Sequence, residues 1–353
     1  MAKYIELEAK YEPDDKVAIH EFAALQLAQR IASHEAGIAE LVKNSCDAYS
    51  EADALPGQKV IIILLNHADR ENPSLVGCLD FVGMTTEKIE TRFNQWGDPQ
   101  AAPGATGGRR KGGHGHGGKA YMVNMFKEYA LVVTCFGGYG NRYGFQSSNV
   151  TPGYFPDRTR GRRFPVSSKE KFLEQSLPPF STRLRDLPDD AKRALERGSG
   201  LTLVKGVDAK DLPKGRFPVS SLMEDLIAHP QMIEALQEAK IFVFSNGEPL
   251  AQAWPLELPP IEPMEEAKEP KEFAVPDQLP DPSSGEKVST TEEGKSEAGT
   301  LVLRTSKKSM MWNYRPRHKI YIHARGEHVG SWDVRDLAGK GFADQIYGDL
   351  FLD

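Results

Sequence analysis

The sequence is poor in the features that would mark a secreted, zinc-binding or membrane protein. Its three cysteines, Cys46, Cys78 and Cys135, stand at no CxxC spacing, which argues against a disulfide framework and a cysteine-built zinc knuckle. No stretch approaches the ~18 consecutive apolar residues of a membrane helix. The opening MAKYIELEAKYEPDDK is charged throughout and lacks the apolar centre of a signal peptide. A reducing, cytoplasmic setting without membrane contact is therefore expected. Charge of one sign is also scarce outside a single stretch. The net charge is −6, yet Glu262 to Glu297 alone holds 11 acidic and 4 basic residues, so the remainder is close to neutral. Acidity describes that segment and says little about partners.

What is present supports two or three domains in 353 residues, with 39% hydrophobic residues for a core and 24 prolines and 32 glycines for loops. A helical pattern runs from about Val17 to Ser50, with SHEAG at Ser33–Gly37 as a candidate break that would make Ile38–Ser50 a separate helix. KVIIILLN (Lys59–Asn66) reads as a buried strand and Leu75–Leu79 as the next, followed by a helix over Thr86–Trp96 begun by a threonine cap. Gly97–Gly118 is a long Gly-, Pro- and Arg-rich loop, of a length that often serves as a lid. Beyond it the pattern predicts a helix over Lys119–Lys127 and a hairpin of Ala130–Phe136 with Arg142–Gln146. Helices follow over Asp186–Arg197 and Leu222–Ala239, and strands over Leu201–Lys205 and Ile241–Ser245.

Two stretches carry chemistry. In IAELVKNSCDA (Ile38–Ala48), Glu40, Asn44 and Asp47 fall at i, i+4 and i+7 and share one helix side, while Ile38, Leu41, Val42 and Cys46 take neighbouring directions. A carboxylate there can serve as general base for water attacking phosphorus. An amide one turn on can take a protein position on a magnesium ion that keeps several of its waters. A solvated helix face is the plain alternative. The second stretch is GGHGHGGK (Gly112–Lys119). Its Gly113, Gly118 and Lys119 approach a P-loop pattern, but Ala120 stands where a magnesium-binding Ser or Thr belongs. It reads better as a phosphate cover leading into a helix N-terminus, with a flexible linker as the plain alternative. His114 and His116 lack the further clustered ligands of a metal centre.

Together these motifs resemble the GHKL ATPase superfamily, which includes gyrase B subunits, ninety-kilodalton heat-shock chaperones, MutL proteins and sensor histidine kinases. ELVKNSCDA looks like its E-x-x-x-N-x-x-D-A helix, and LDFVGMT (Leu79–Thr85) like its adenine motif D-x-G-x-G-M-T. GGHGHGG is similar to its G-x-x-G-x-G lid through Gly112, Gly115 and Gly117, and ERGSGLTL (Glu196–Leu203) to its late E-R-G-T strand. The likeness spans about residues 20–205. It implies Glu40 as general base, Asn44 as magnesium ligand, and Asp80 as acceptor from the adenine amino group, with Gly83, Met84 and Ser199 nearby. Gly112, Gly115, Gly117, Gly118 and Lys119 would hold the phosphates, and Asp47 belongs to the motif with a less defined role. The adenine motif departs by one residue: Asp80 lies three before Gly83, and strict alignment would put Leu79 in its place. Leucine cannot bond an amine, so Asp80 is assigned with a one-residue backbone adjustment.

The resemblance implies a Bergerat-type two-layer α/β sandwich, with helices on one face of a mixed sheet and ATP between helix and sheet. Residues 1–255 would form this ATP-binding domain, 256–299 an acidic Pro/Glu-rich linker without fixed structure, and 300–353 a small C-terminal segment. Strands are expected there at LVLRT (Leu301–Thr305) and KIYIHA (Lys319–Ala324), and IYGDLFLD reads as a strand cut short, as in a fragment. The expected activity is slow, magnesium-dependent ATP hydrolysis, with lid closure driving a conformational switch or homodimerisation. A nucleotide-gated scaffold with little hydrolysis is the alternative, and a sensor histidine kinase a third. A protein partner is compatible with all three. Arg158–Arg163 and the basic residues around Arg315–Lys319 leave nucleic-acid contact open, without a stacking pattern to favour it over a solvated surface.

Overall fold

The computed structural model describes residues 12–13, 31, 33–55, 57–94, 96, 117–155, 162–246, 254–276, 278–280, 287–289, 297–310, 317–324, 327–334 and 342–352. The chain divides into two units, Met1–Glu257 and Leu258–Asp353.

The first unit is a mixed α/β structure built on one large sheet. In chain order its strands are β1 (Glu12–Pro13), β2 (Val60–Asn66), β3 (Leu75–Asp80), β4 (Phe126–Phe136), β5 (Tyr139–Gln146), β6 (Gly153–Tyr154), β7 (Arg163–Pro165), β8 (Gly200–Ala209), β9 (Lys240–Ser245) and β10 (Trp254–Leu256). Their spatial order is β1-β6-β5-β4-β8-β3-β2-β9-β10, with β7 beside β5. The β2–β9 pair is parallel, and the β3–β8 and β4–β8 pairs at the centre are antiparallel. β2 is buried along its whole length because both sides of the sheet are covered. Ile61, Ile63 and Leu65 point to one core, while Val60, Ile62 and Leu64 point to the other.

Among the described residues the unit has seven α-helices: α1 (His34–Glu51), α2 (Thr86–Asn94), α3 (Gly117–Asn124), α4 (Lys169–Ser176), α5 (Asp189–Arg197), α6 (Val219–Ala228) and α7 (Pro230–Glu238). The helix layer expected over the sheet is formed by α1, α2, α3, α6 and α7, whose apolar residues join the first core. The opposite face has a further cover, in which Phe172 and Leu173 of α4, Leu177, Phe180, and Ala191 and Leu195 of α5 pack on Leu79, Leu131, Leu201 and Leu203.

Local chemistry sets several boundaries. Ser33, whose hydroxyl accepts from Ala36 N–H at 3.4 Å, caps α1, so the break sensed at SHEAG is a helix start. The threonine cap of α2 is Thr85, which accepts from Lys88 N–H at 3.2 Å. The single helix expected over Leu222–Ala239 is two helices, parted at His229. Pro230 lacks the N–H that would continue α6 and is suited to the first turn of α7. The helix expected to run to Lys127 ends at Asn124, since Phe126 already begins β4. Residues 97–116 lie outside the described residues.

The second unit has a five-stranded sheet in the order β11-β14-β17-β15-β16, made of β11 (Lys271–Pro276), β14 (Glu297–Thr305), β15 (Lys319–Ala324), β16 (Glu327–Asp333) and β17 (Ile346–Leu352). A short β12 (Gln278–Pro280) pairs with β13 (Lys287–Ser289). Within the stretch read as a linker, Lys271–Pro276 is thus a strand, paired antiparallel with β14. KEFAV, two charged residues followed by three apolar ones, is short, lacks alternation and sits among prolines, which conceals a strand signal from composition. Ile320, Val334 and Leu350 form the small core of this sheet.

Candidate functional site

The polar stripe of α1 has the exposure that its spacing predicts. Ile38, Leu41, Val42 and Cys46 are buried, Glu40 and Asp47 are half-buried, and Asn44 is exposed. The start of α3 lies directly against this stripe. A Cβ on Gly117 would stand 2.2 Å from Glu40 Cδ, and one on Gly118 would stand 2.5 Å from Asn44 Nδ2. Glycine at these two positions leaves that space free and brings a helix N-terminus beside a carboxylate and an amide. Glu40 Oε1 also accepts from Gln231 Nε2 at 2.6 Å.

The second half of the site is the loop after β3. Asp80 is buried, and its side chain reaches α1, where Ser45 Oγ donates to Oδ2 at 2.9 Å. Val82 N–H donates to Oδ1 at 3.1 Å. Burial pushes the Asp80 carboxyl up to about 6, against the pull of these donors. Leu79, the other residue that an alignment could place at the adenine position, packs in the core of the opposite face. Tyr49 ties the loop to α1: its hydroxyl donates to Val60 O at 2.7 Å and accepts from Phe81 N–H at 3.1 Å. Gly83 has φ +83°, and a Cβ there would meet Cys135 O at 2.3 Å. Met84 N–H donates to Thr134 Oγ1 at 2.9 Å, and Ser199 Oγ donates to Val82 O at 2.7 Å. Gly83, Met84 and Ser199 therefore shape the loop that carries Asp80.

Lys119 follows Gly117 and Gly118 in α3. Its Nζ donates to Arg92 O at 2.8 Å and sits 5.6 Å from the centroid of the Trp96 ring. Gly112 and Gly115 fall outside the described residues. A cleft of about 270 Å³ is lined by Tyr49, Val82, Arg193 and Ser199 among others, but not by Glu40, Asn44 or Asp80. Among the described residues no group of three or more His, Cys, Asp or Glu could hold a metal ion unaided, and no helix is long and apolar enough to cross a membrane.

Three participants escaped the sequence reading. Ser45 lies inside the helix motif and is marked only by its place after Asn44. Thr134 is signalled by nothing local, since its role depends on β4 lying beside β8, where Thr134 pairs with Thr202. Gln231 is 191 positions from Glu40 and reaches it only through the packing of α7 on α1.

No protein-family model matches the sequence, and no curated protein matches it. Solved structures similar to it include the ATPase and transducer domains of DNA topoisomerase II from Balamuthia mandrillaris, at 12% identity and a TM-score of 0.36, over 90% of this chain and 66% of that one. The ATPase region of Saccharomyces cerevisiae topoisomerase II is similar at 9% identity and a TM-score of 0.40, over 90% of this chain and 72% of that one. The same yeast region bound to ICRF-187 (dexrazoxane) gives 10% identity and 0.38 over the same shares. The likeness is at the level of fold.

Proposed function

We propose that the chain is a GHKL-type ATP-binding protein that hydrolyses ATP slowly with magnesium. The observation that carries this reading is the close seating of Gly117 and Gly118 on Glu40 and Asn44. It combines a general base, an oxygen ligand and a helix N-terminus suited to phosphate within one turn of each of two helices.

The residues divide the work by chemistry. Asn44, exposed at the site, offers an amide oxygen to a magnesium ion that arrives with the triphosphate and keeps most of its waters. Magnesium, when bound, would neutralise phosphate charge. The N–H groups at Gly117 and Gly118 face the phosphates, and Gly112 and Gly115 would continue that cover. Glu40 takes the proton of the attacking water. Asp80, as carboxylate, accepts from the adenine amino group, and the hydrogen bonds from Ser45 and Val82 fix its direction. Asp47 shares the stripe and supports the same end of the helix. Closure of the glycine cover would drive a conformational change or pairing of two copies, through which a protein partner could be engaged.

The alternative, a nucleotide-gated scaffold with little hydrolysis, has one observation in its favour. Lys119, the expected phosphate-binding cation, donates to Arg92 O and lies over the Trp96 ring. Calorimetry of ATP with and without magnesium, paired with phosphate-release assays, tests both. Magnesium-dependent binding with turnover is expected; binding without turnover selects the scaffold, and no binding overturns the nucleotide reading.

A further inference from the structure

We infer that Gln231 is the positioning residue for Glu40, and that its amide also receives the attacking water. The inference rests on the ATPase reading above and names how that site is set for hydrolysis. Gln231 is the second residue of α7, directly after Pro230. Its Nε2 donates to Glu40 Oε1 at 2.6 Å, a short charge-assisted bond to a carboxylate. The amide orientation is dictated by that contact, because the reverse would set an oxygen against the anion.

Two further features make this more than a packing contact. Gln231 Oε1 is buried and has no hydrogen-bond partner among the described residues. A buried amide oxygen left unpaired is costly unless a donor meets it during function. A water that gives one proton to Glu40 and points the other at this oxygen is held in a fixed orientation by two acceptors. Second, Glu40 stands between two helix starts, with Gly117 of α3 on one side and Gln231 of α7 on the other. Met232, the next residue, is fully buried in the first core and anchors this turn of α7. The proton passes from water to the Glu40 carboxylate while the water oxygen attacks phosphorus. Gln231 exchanges no proton; it holds both partners in line.

Gln231→Met keeps side-chain length and removes both polar atoms, and Gln231→Glu keeps the shape while replacing the donor with a second carboxylate. In Gln231→Met, kcat should fall roughly 10- to 100-fold with ATP affinity and melting temperature unchanged. Gln231→Glu should lose more than Gln231→Met. A contact that serves packing alone would alter melting temperature without separating kcat from affinity. Unchanged kcat in Gln231→Met, measured against a wild type that turns over, overturns the positioning role. A wild type that binds ATP without turnover overturns the ATPase reading and this role together, and the wild-type rate tells the two failures apart.

Discussion

Asp80 on one face of the central sheet of the first unit and Lys205 on the other are both buried, and the two are treated in opposite ways. On the α1 face, Asp80 is met by a hydroxyl and a backbone N–H, donors that aim its oxygens and suit the charged form. On the α4–α5 face, Lys205 is fully enclosed, with Nζ donating to Pro178 O at 2.6 Å and lying 5.7 Å from the Phe180 ring. Burial, with the Arg142 charge adding to it, brings the lysine down to about 7. Both groups bear a desolvation cost. Asp80 is surrounded by the residues that build the candidate site, whereas Lys205 is surrounded by the core. Burial of charge therefore does not by itself mark function; what surrounds the charge does.

The largest effect that would sharpen this contrast lies on the α1 face. Glu40→Ala should cut turnover roughly 100- to 10,000-fold, the usual contribution of a general base, while calorimetry shows ATP still bound. Loss of binding as well would mean that Glu40 supports the pocket and does no proton transfer. Next is Asp80→Asn, which should weaken ATP binding by about 1.5–3 kcal/mol, the worth of a hydrogen bond to a charged group. The sign of its pH dependence follows from a carboxyl raised from 3.8 to about 6. Native protein holds the proton through that interval while the unfolded chain releases it, so wild-type stability falls as pH rises through the interval. Melting curves should show Asp80→Asn more stable than wild type above pH 6, with the gap closing below pH 4. Wild-type ATP affinity should decline on acidification through about pH 6, as the accepting carboxylate is neutralised.

How much of this was legible in the sequence follows from the range of each interaction. The α1 stripe was readable because Glu40, Asn44 and the buried Ile38 and Leu41 lie within three turns of one helix, where spacing fixes direction. The strand β2 was readable from an unbroken apolar run. The division at Pro230 was present in the sequence as a proline inside a helical pattern, yet apolar periodicity on both sides masked it. Gln231 and Thr134 could not be read at all, because each acts on a partner brought near by the sheet or by helix packing. The cover on the second face was legible only in part: the helix carrying Leu195 was expected, but Phe172 and Phe180 come from a stretch without readable periodicity, and all three become a layer only when laid on β8 and β3.

Smaller effects test how finely the α1 face is tuned. In Gly117→Ala the new methyl would meet the far end of Glu40, a flexible side chain that would have to shift from its bond with Gln231. Melting temperature should barely change, while kcat falls about tenfold through displacement of the carboxylate. A large loss of stability instead would show that the close approach is needed for packing.

The smallest functional effect is expected on the other face, and it is the one most able to break the contrast. Lys205→Met fills the same volume without charge, so ATP affinity and kcat should match wild type. Stability should change in a manner opposite to Asp80. A lysine lowered from 10.5 to about 7 leaves the native state unprotonated while the unfolded chain gains a proton as pH falls through that window. Wild-type stability should therefore rise between pH 7 and pH 10, and Lys205→Met should lack this rise. Whatever the variant loses by leaving Pro178 O without its donor is the same at every pH, so the slope isolates the charge. A matched slope in wild type and variant would mean that the enclosed ammonium is stabilised after all. A drop in ATP affinity in Lys205→Met would mean that the two faces of the sheet are coupled, and that the second core takes part in the site.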